Sequence, residues 1–254
     1  MKPALWKLYK VELRRQLTVA AAFVPLGLLL LSAVTIYFTS KFAKPYDVVK
    51  MAVTANNTLV VPLAASLIAI AVVAADVKEG WLRTLLIRPI TRQQYLLIKL
   101  SAVYTSILLS LLIAGVLPNI LFAAFIYNGT VQWDFLRIVA IHVLFFLHAA
   151  QILALMTLLS CWIPGAFNVV VLGFWAMASA MISGFLGKFY WSEHWATILR
   201  EWLYPPGFGS SIDAVAGGIQ LPYADLLLGL GATAVIFALA FWSITRIQID
   251  KGSE

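Results

Sequence analysis

Six apolar runs, each about 20 residues or longer, dominate this sequence, at positions 18–38, 52–75, 95–126, 136–163, 166–186 and 223–245. A helix rises about 1.5 Å per residue and the hydrocarbon core of a bilayer is about 30 Å thick, so each run is long enough to span it. The runs are continuously apolar, whereas barrel strands alternate apolar and polar residues over about ten positions, so the pattern predicts an all-α membrane protein with six transmembrane helices. No Asp, Glu, Lys or Arg falls deep inside a run except Lys99, near one end. The third run exceeds what a bilayer requires, which predicts that it tilts or projects into water, with Pro118 bending or ending it.

Composition agrees with lipid as the main solvent. The chain is 62% hydrophobic and 11% charged, against about a quarter charged for a soluble domain. Its net charge of +7 does not mark a nucleic-acid binder, because the basic residues flank apolar runs and do not form a stripe interleaved with aromatics. A single cysteine, Cys161, leaves no internal disulfide framework and no CxxC metal or redox motif.

The same flanking charges set orientation. The side predicted to carry both termini gathers Lys7, Lys10, Arg14, Arg15, Arg83, Arg88, Arg92, Lys99 and Arg246 among others, a surplus equal to the whole net charge of +7, while charges on the other side balance. Both termini are therefore expected in the cytoplasm, with the chain as a multi-pass protein of the cell's inner (plasma) membrane. The first run is longer than a signal-peptide core and no A-x-A pattern closes it, so it is read as retained.

Segments between the runs carry the functional signal. In residues 1–17, Leu5, Trp6, Tyr9, Leu13 and Leu17 share one broad helical face and Lys7, Lys10 and Arg14 a neighbouring one. That arrangement describes an amphipathic interfacial helix whose cations meet anionic lipid, or, more plainly, a flanking charge run that enforces topology. In residues 76–92, Asp76 and Glu79 stand at the start of a short helix and Arg83 and Arg88 toward its end, as the helix dipole favours. Leu82, Leu85 and Leu86 give it an apolar face and Pro89 stops it, so a partner protein is expected to bury that face.

Glu79-Gly80, Leu82, Leu85-Leu86, Pro89-Ile90-Thr91-Arg92, Leu96 and Lys99-Leu100 together resemble the cytoplasmic loop of permease subunits in the type 2 ATP-binding-cassette (ABC) exporter family. The family pattern is Glu-Gly-Thr-Leu, two or three leucines, Pro-Val/Ile-Ser/Thr-Arg and a Lys opening the next helix; here Trp81 replaces the Thr with spacing intact. The layout of an interfacial helix, six spans, both ends inside and a long outer segment is also similar. The resemblance implies a single permease domain over 1–254, and a separate ABC ATPase subunit that holds ATP and Mg. It also implies a second permease copy or a paralogue completing a homo- or heterodimer in the bilayer. Glu79, Gly80, Leu82, Leu85, Leu86, Pro89 and Arg92 would couple ATP hydrolysis to substrate movement, as a cytoplasmic coupling helix. The alternatives are an ATP-independent secondary transporter or channel, and an ABC-type complex that signals or does mechanical work.

The outer segment 187–222 places Trp191, Trp195 and Trp202 where they can share a helical face at the membrane interface. In the resembling family this region forms re-entrant helices that close the outer mouth; the alternative is an aromatic belt with no gating role. No G-x-x-x-x-G-K-[ST] loop, H-E-x-x-H or G-x-S-x-G is present, so the chain is expected not to be an enzyme and to bind no cofactor itself. His142 and His148 lie six positions apart and do not share a helix face, so no metal site is expected. Asn56, Asn57, Gln151 and Asn168 are read as interhelical glue or as path lining.

Overall fold

A computed structural model describes residues 3–17, 19–42, 48–70, 72–73, 76, 90–127, 134–163, 167–190, 193–196, 205 and 207–246. Every regular element among the described residues is helical: α1 Pro3–Gln16, α2 Val19–Phe42, α3 Val48–Ala55, α4 Val61–Ile68, α5 Arg92–Ala114, α6 Val116–Tyr127, α7 Phe135–Trp162, α8 Phe167–Phe189, α9 Gly209–Ala216 and α10 Tyr223–Arg246. Four stretches among the described residues are long and apolar enough to cross a membrane: 92–126 taken through its break, Phe135–Trp162, Phe167–Phe189 and Tyr223–Arg246. Within α2, Val24–Phe38 forms a shorter apolar stretch.

Local chemistry fixes the helix starts. Thr91 opens α5 with a capping box: its hydroxyl accepts the Gln94 N–H at 3.2 Å, and the Gln94 side chain accepts the Thr91 N–H at 3.2 Å. Asp134 opens α7 by accepting the Arg137 N–H at 3.1 Å.

The third apolar run does bend, at Gly115 and not at Pro118. Gly115 takes φ −88° and ψ −155°, outside the helical region. A Cβ there would lie 2.0 Å from the Leu111 carbonyl oxygen, so only glycine fits the break. Pro118, which has no N–H to give the Ala114 carbonyl four residues back, sits just past the break, and the Asn119 side chain donates to that carbonyl at 3.3 Å in its place.

The second run is interrupted too. Between α3 and α4, Asn56–Val60 form a π-helical turn, closed by the Val61 N–H donating to the Asn56 carbonyl. Asn56 donates its side-chain amide to the Ala52 carbonyl at 2.7 Å, and Pro62, with no donor, follows directly. Such turns absorb a residue that the regular ladder cannot hold.

Helix α7 is the hub, packed by α4, α5, α6, α8, α9 and α10, while α1 lies along α5 and α2 along α5 and α6. Side chains pointing away from this core stay apolar: Phe125 is 80% exposed and Leu136 77%. In water such a perimeter would drive association; in lipid it is matched to its solvent. Helix α8 buries only Asn168, Leu172, Ser179 and Leu186.

Candidate functional site

Asp76 is buried immediately ahead of residues 77–89, and its carboxylate is the centre of an ion cluster. Arg15 from α1 donates to Asp76 Oδ1 at 2.6 Å, Lys99 from α5 donates to Oδ2 at 2.8 Å, and the Tyr95 hydroxyl donates to Oδ2 as well. Glu12, one helical turn before Arg15, brings its Oε2 within 3.0 Å of the Lys99 ammonium as an ion pair without hydrogen-bond alignment. Asp76, Glu12 and Lys99 are at most 3% exposed. Two carboxylates face two cations, so the cluster is neutral, which is the condition for keeping charges out of water.

Electrostatics and burial compete at Asp76. Removal from water pushes its pKa up, but the Lys99 charge and the hydrogen bonds from Lys99, Tyr95 and Arg15 outweigh that and hold the carboxyl below its ordinary value of 3.8. It is therefore ionised at neutral pH.

Further bonds tie the same end of the bundle together. Arg92, the first residue of α5, donates to the carbonyls of Thr245 at 3.0 Å and Ile244 at 3.4 Å in the last turn of α10. Those carbonyls have no intrahelical donor, and a cation suits the negative end of a helix. Ser160 Oγ accepts the Val73 N–H at 2.9 Å, and Trp162 Nε1 donates to Ser243 Oγ at 3.2 Å. Helix α1 and the start of α5 thus meet at Asp76, and the ends of α7 and α10 are tied to each other and to Val73 and Arg92 nearby in the chain.

Of the coupling residues expected from sequence, Arg92 is placed here; Glu79, Gly80, Leu82, Leu85, Leu86 and Pro89 lie outside the described residues. In α1, Trp6 stacks on Tyr9 with ring centroids 5.2 Å apart, and the Lys10 ammonium lies 5.3 Å from the Trp6 ring. Lys7, Lys10 and Arg14 are exposed. The face of α1 turned to the bundle carries Leu8, Glu12 and Tyr9, whose hydroxyl bonds Thr105 Oγ1 at 3.0 Å. Tyr9 thus serves α5 as well as the apolar face read from sequence.

Glu12, Arg15, Asp76, Tyr95 and Lys99 were not singled out as a site by the sequence. The available signals were Lys99 inside an apolar run and Glu12 as the lone acid of a basic helix, since charge in such places requires a partner.

At the opposite end, Arg137 near the start of α7 donates to the Val215 carbonyl at 3.1 Å and to the Ala216 carbonyl, closing the end of α9. Phe208 and Ile212, just before and within α9, are fully buried. A Cβ on Gly207 would meet Gln151 Oε1 at 3.1 Å, so the segment lies close against α7 there and a larger residue would push the Gln151 side chain aside. Trp195 is half exposed, its ring 5.4 Å from Tyr190 in an aromatic group with Phe185 and Phe189; Trp191 and Trp202 lie outside the described residues. His142 Nδ1 lies 2.8 Å from the Ile138 carbonyl. Among the described residues no three His, Cys, Asp or Glu converge as metal ligands.

Compared with known proteins, the chain matches no curated sequence. The sequence pattern of the family described as "ABC-2 family transporter protein" matches residues 38–247, which include α3 to α10, Asp76, Lys99 and Arg92. With several apolar helices of spanning length, this makes the protein a multi-pass membrane protein. That match covers most of the chain, and the chain belongs to the ABC-2 family of transporter proteins.

Proposed function

We propose that this chain is the permease subunit of an ABC exporter, coupling ATP hydrolysis by a separate ATPase subunit to substrate movement. One observation carries the reading: the cluster of buried Glu12, Asp76, Tyr95 and Lys99 with part-exposed Arg15 mounts the start of segment 76–92 on α1 and α5. A lever transmits force only if its root is stiff. Buried ion pairs contribute little net stability but penalise any alternative register, which suits a mounting.

In this reading the six spans are α2, the α3 to α4 pair with its π turn, the α5 to α6 pair, α7, α8 and α10, in one domain with both termini in the cytoplasm. Residues 76–92 dock on the ATPase through Leu82, Leu85 and Leu86, with ATP and Mg held by that partner. Two permease chains flank the path, and Trp191, Trp195 and Trp202 belong to its outer gate. The Lys and Arg surplus at the Asp76 end supports the orientation.

The test is purification in mild detergent followed by transport in vesicles. An ATPase subunit is expected to accompany the wild-type chain. Glu79→Ala with Arg92→Ala is expected to leave the protein inserted and to uncouple transport from ATP hydrolysis. A bundle that works alone, or unchanged ATP-driven transport by the double variant, would overturn the assignment. ATP hydrolysis that responds to the chain without solute movement would select the signalling or mechanical alternative.

A further inference from the structure

We propose that the seam between α5, α7 and α10 binds an acyl chain of an anionic phospholipid, with the headgroup at the Arg92 end. The seam forms a groove of about 300 Å³ walled by Leu97 and Leu100 of α5, Leu153 of α7, and Phe237 and Phe241 of α10. Its two hydroxyl-bearing residues offer no spare hydrogen: Ser101 donates to the Leu97 carbonyl at 2.8 Å and Tyr104 to the Phe146 carbonyl at 2.9 Å. A polar ligand would lose its water and gain no donor, so the groove selects hydrocarbon.

The ends of the seam are not alike. From Leu97 to Tyr104 the wall runs about 10 Å along α5 at helical rise. Beyond Leu97 lies Arg92, which bridges α5 to the last turn of α10. Arg246 lies at the same end, its guanidinium 5.2 Å from the Trp242 ring. Trp242 is half exposed near the end of α10, and indole rings favour the membrane interface. An apolar slot that leads to two guanidiniums complements an amphiphile with an apolar tail and an anionic head. The groove opens to the exposed apolar perimeter of the bundle through Leu97 and Ser101, where a surrounding bilayer would supply this occupant. This inference does not depend on ATP coupling.

The experiment uses the full chain in nanodiscs of equimolar phosphatidylglycerol and phosphatidylcholine, with one of the two carrying a mid-chain diazirine in each sample. After photolysis, adducts are mapped by mass spectrometry. Phe174 and Met181 of α8, both exposed, serve as the perimeter reference within the same sample. Labelling at Leu97, Leu153 and Phe237 is expected to exceed that reference and to favour phosphatidylglycerol by about fivefold or more, fivefold being what each surface cation near an anionic headgroup implies. Ser101→Phe, at an exposed position on the groove wall, is expected to abolish the excess with α8 labelling unchanged. Arg92→Gln with Arg246→Gln is expected to bring the headgroup preference to parity while tail labelling persists. Groove labelling no higher than the α8 reference, equal labelling by both lipids in the wild type, or a groove shielded from the probe by a second copy would each overturn the proposal.

Discussion

The Lys99 ammonium lies 2.8 Å from the Asp76 carboxylate, and between these residues runs the stretch 77–89 that the family resemblance assigns to coupling. The pair closes the base of that stretch. Because Lys99 also meets Glu12 of α1, any displacement of the segment's root is shared by α1 and α5.

Breaking this pair from either side unbalances the buried cluster by one charge, although Lys99 keeps Glu12 or Asp76 keeps Arg15. Asp76→Asn or Lys99→Gln alone is expected to destabilise the protein by about 3–5 kcal/mol. The double variant should fall well short of the sum, because the residues touch. A double-mutant cycle on unfolding in detergent checks this; additive effects would dissociate the pair energetically.

Acid should act through the same carboxyl. The Asp76 pKa is lowered in the folded protein, so the unfolded chain takes up the proton first and stability falls as pH falls. The contribution is complete above the ordinary value of 3.8 and is lost as pH drops through the lowered native pKa. Melting curves across that range are expected to show a shallower acid limb in Asp76→Asn than in the wild type.

Glycine substitutions should separate by location. Gly115→Ala places a Cβ 2.0 Å from the Leu111 carbonyl, so the backbone must shift, and a loss of about 1–3 kcal/mol is expected. Gly184→Ala meets nothing within 4 Å and is expected to be neutral or to gain about 0.5–1 kcal/mol from helix propensity. Melting temperatures of the two variants measured side by side decide the matter.

Arg137→Gln removes the guanidinium that closes α9 through the Val215 and Ala216 carbonyls. Hydrogen exchange in residues 209–216 is expected to rise several-fold, with α10 unchanged. Equal exchange in both proteins would show that packing of Phe208 and Ile212 suffices to hold the segment.

Sequence reading placed individual helices closely where length and apolarity decide. The runs at 136–163 and 223–245 became Phe135–Trp162 and Tyr223–Arg246. It was less accurate where the ladder breaks: Pro118 was the visible breaker in the third run, yet the backbone departs at Gly115, whose constraint is a close approach to Leu111. The second run read as one helix because Asn56 and Pro62 are compatible with an apolar span until their hydrogen bonds are counted.

What the amino-acid order determined alone was solvent and element: runs long enough for a bilayer must be helices, since lipid offers backbone groups no other partner. The family pattern in 79–100 was equally legible, because it is local in sequence. Only the tertiary structure assembled Glu12, Arg15, Asp76, Tyr95 and Lys99, drawn from three separated segments, Arg15 and Asp76 being 61 positions apart. Each of those charges, taken singly beside an apolar run, reads as a topology signal, and only packing decides whether it faces water or another charge.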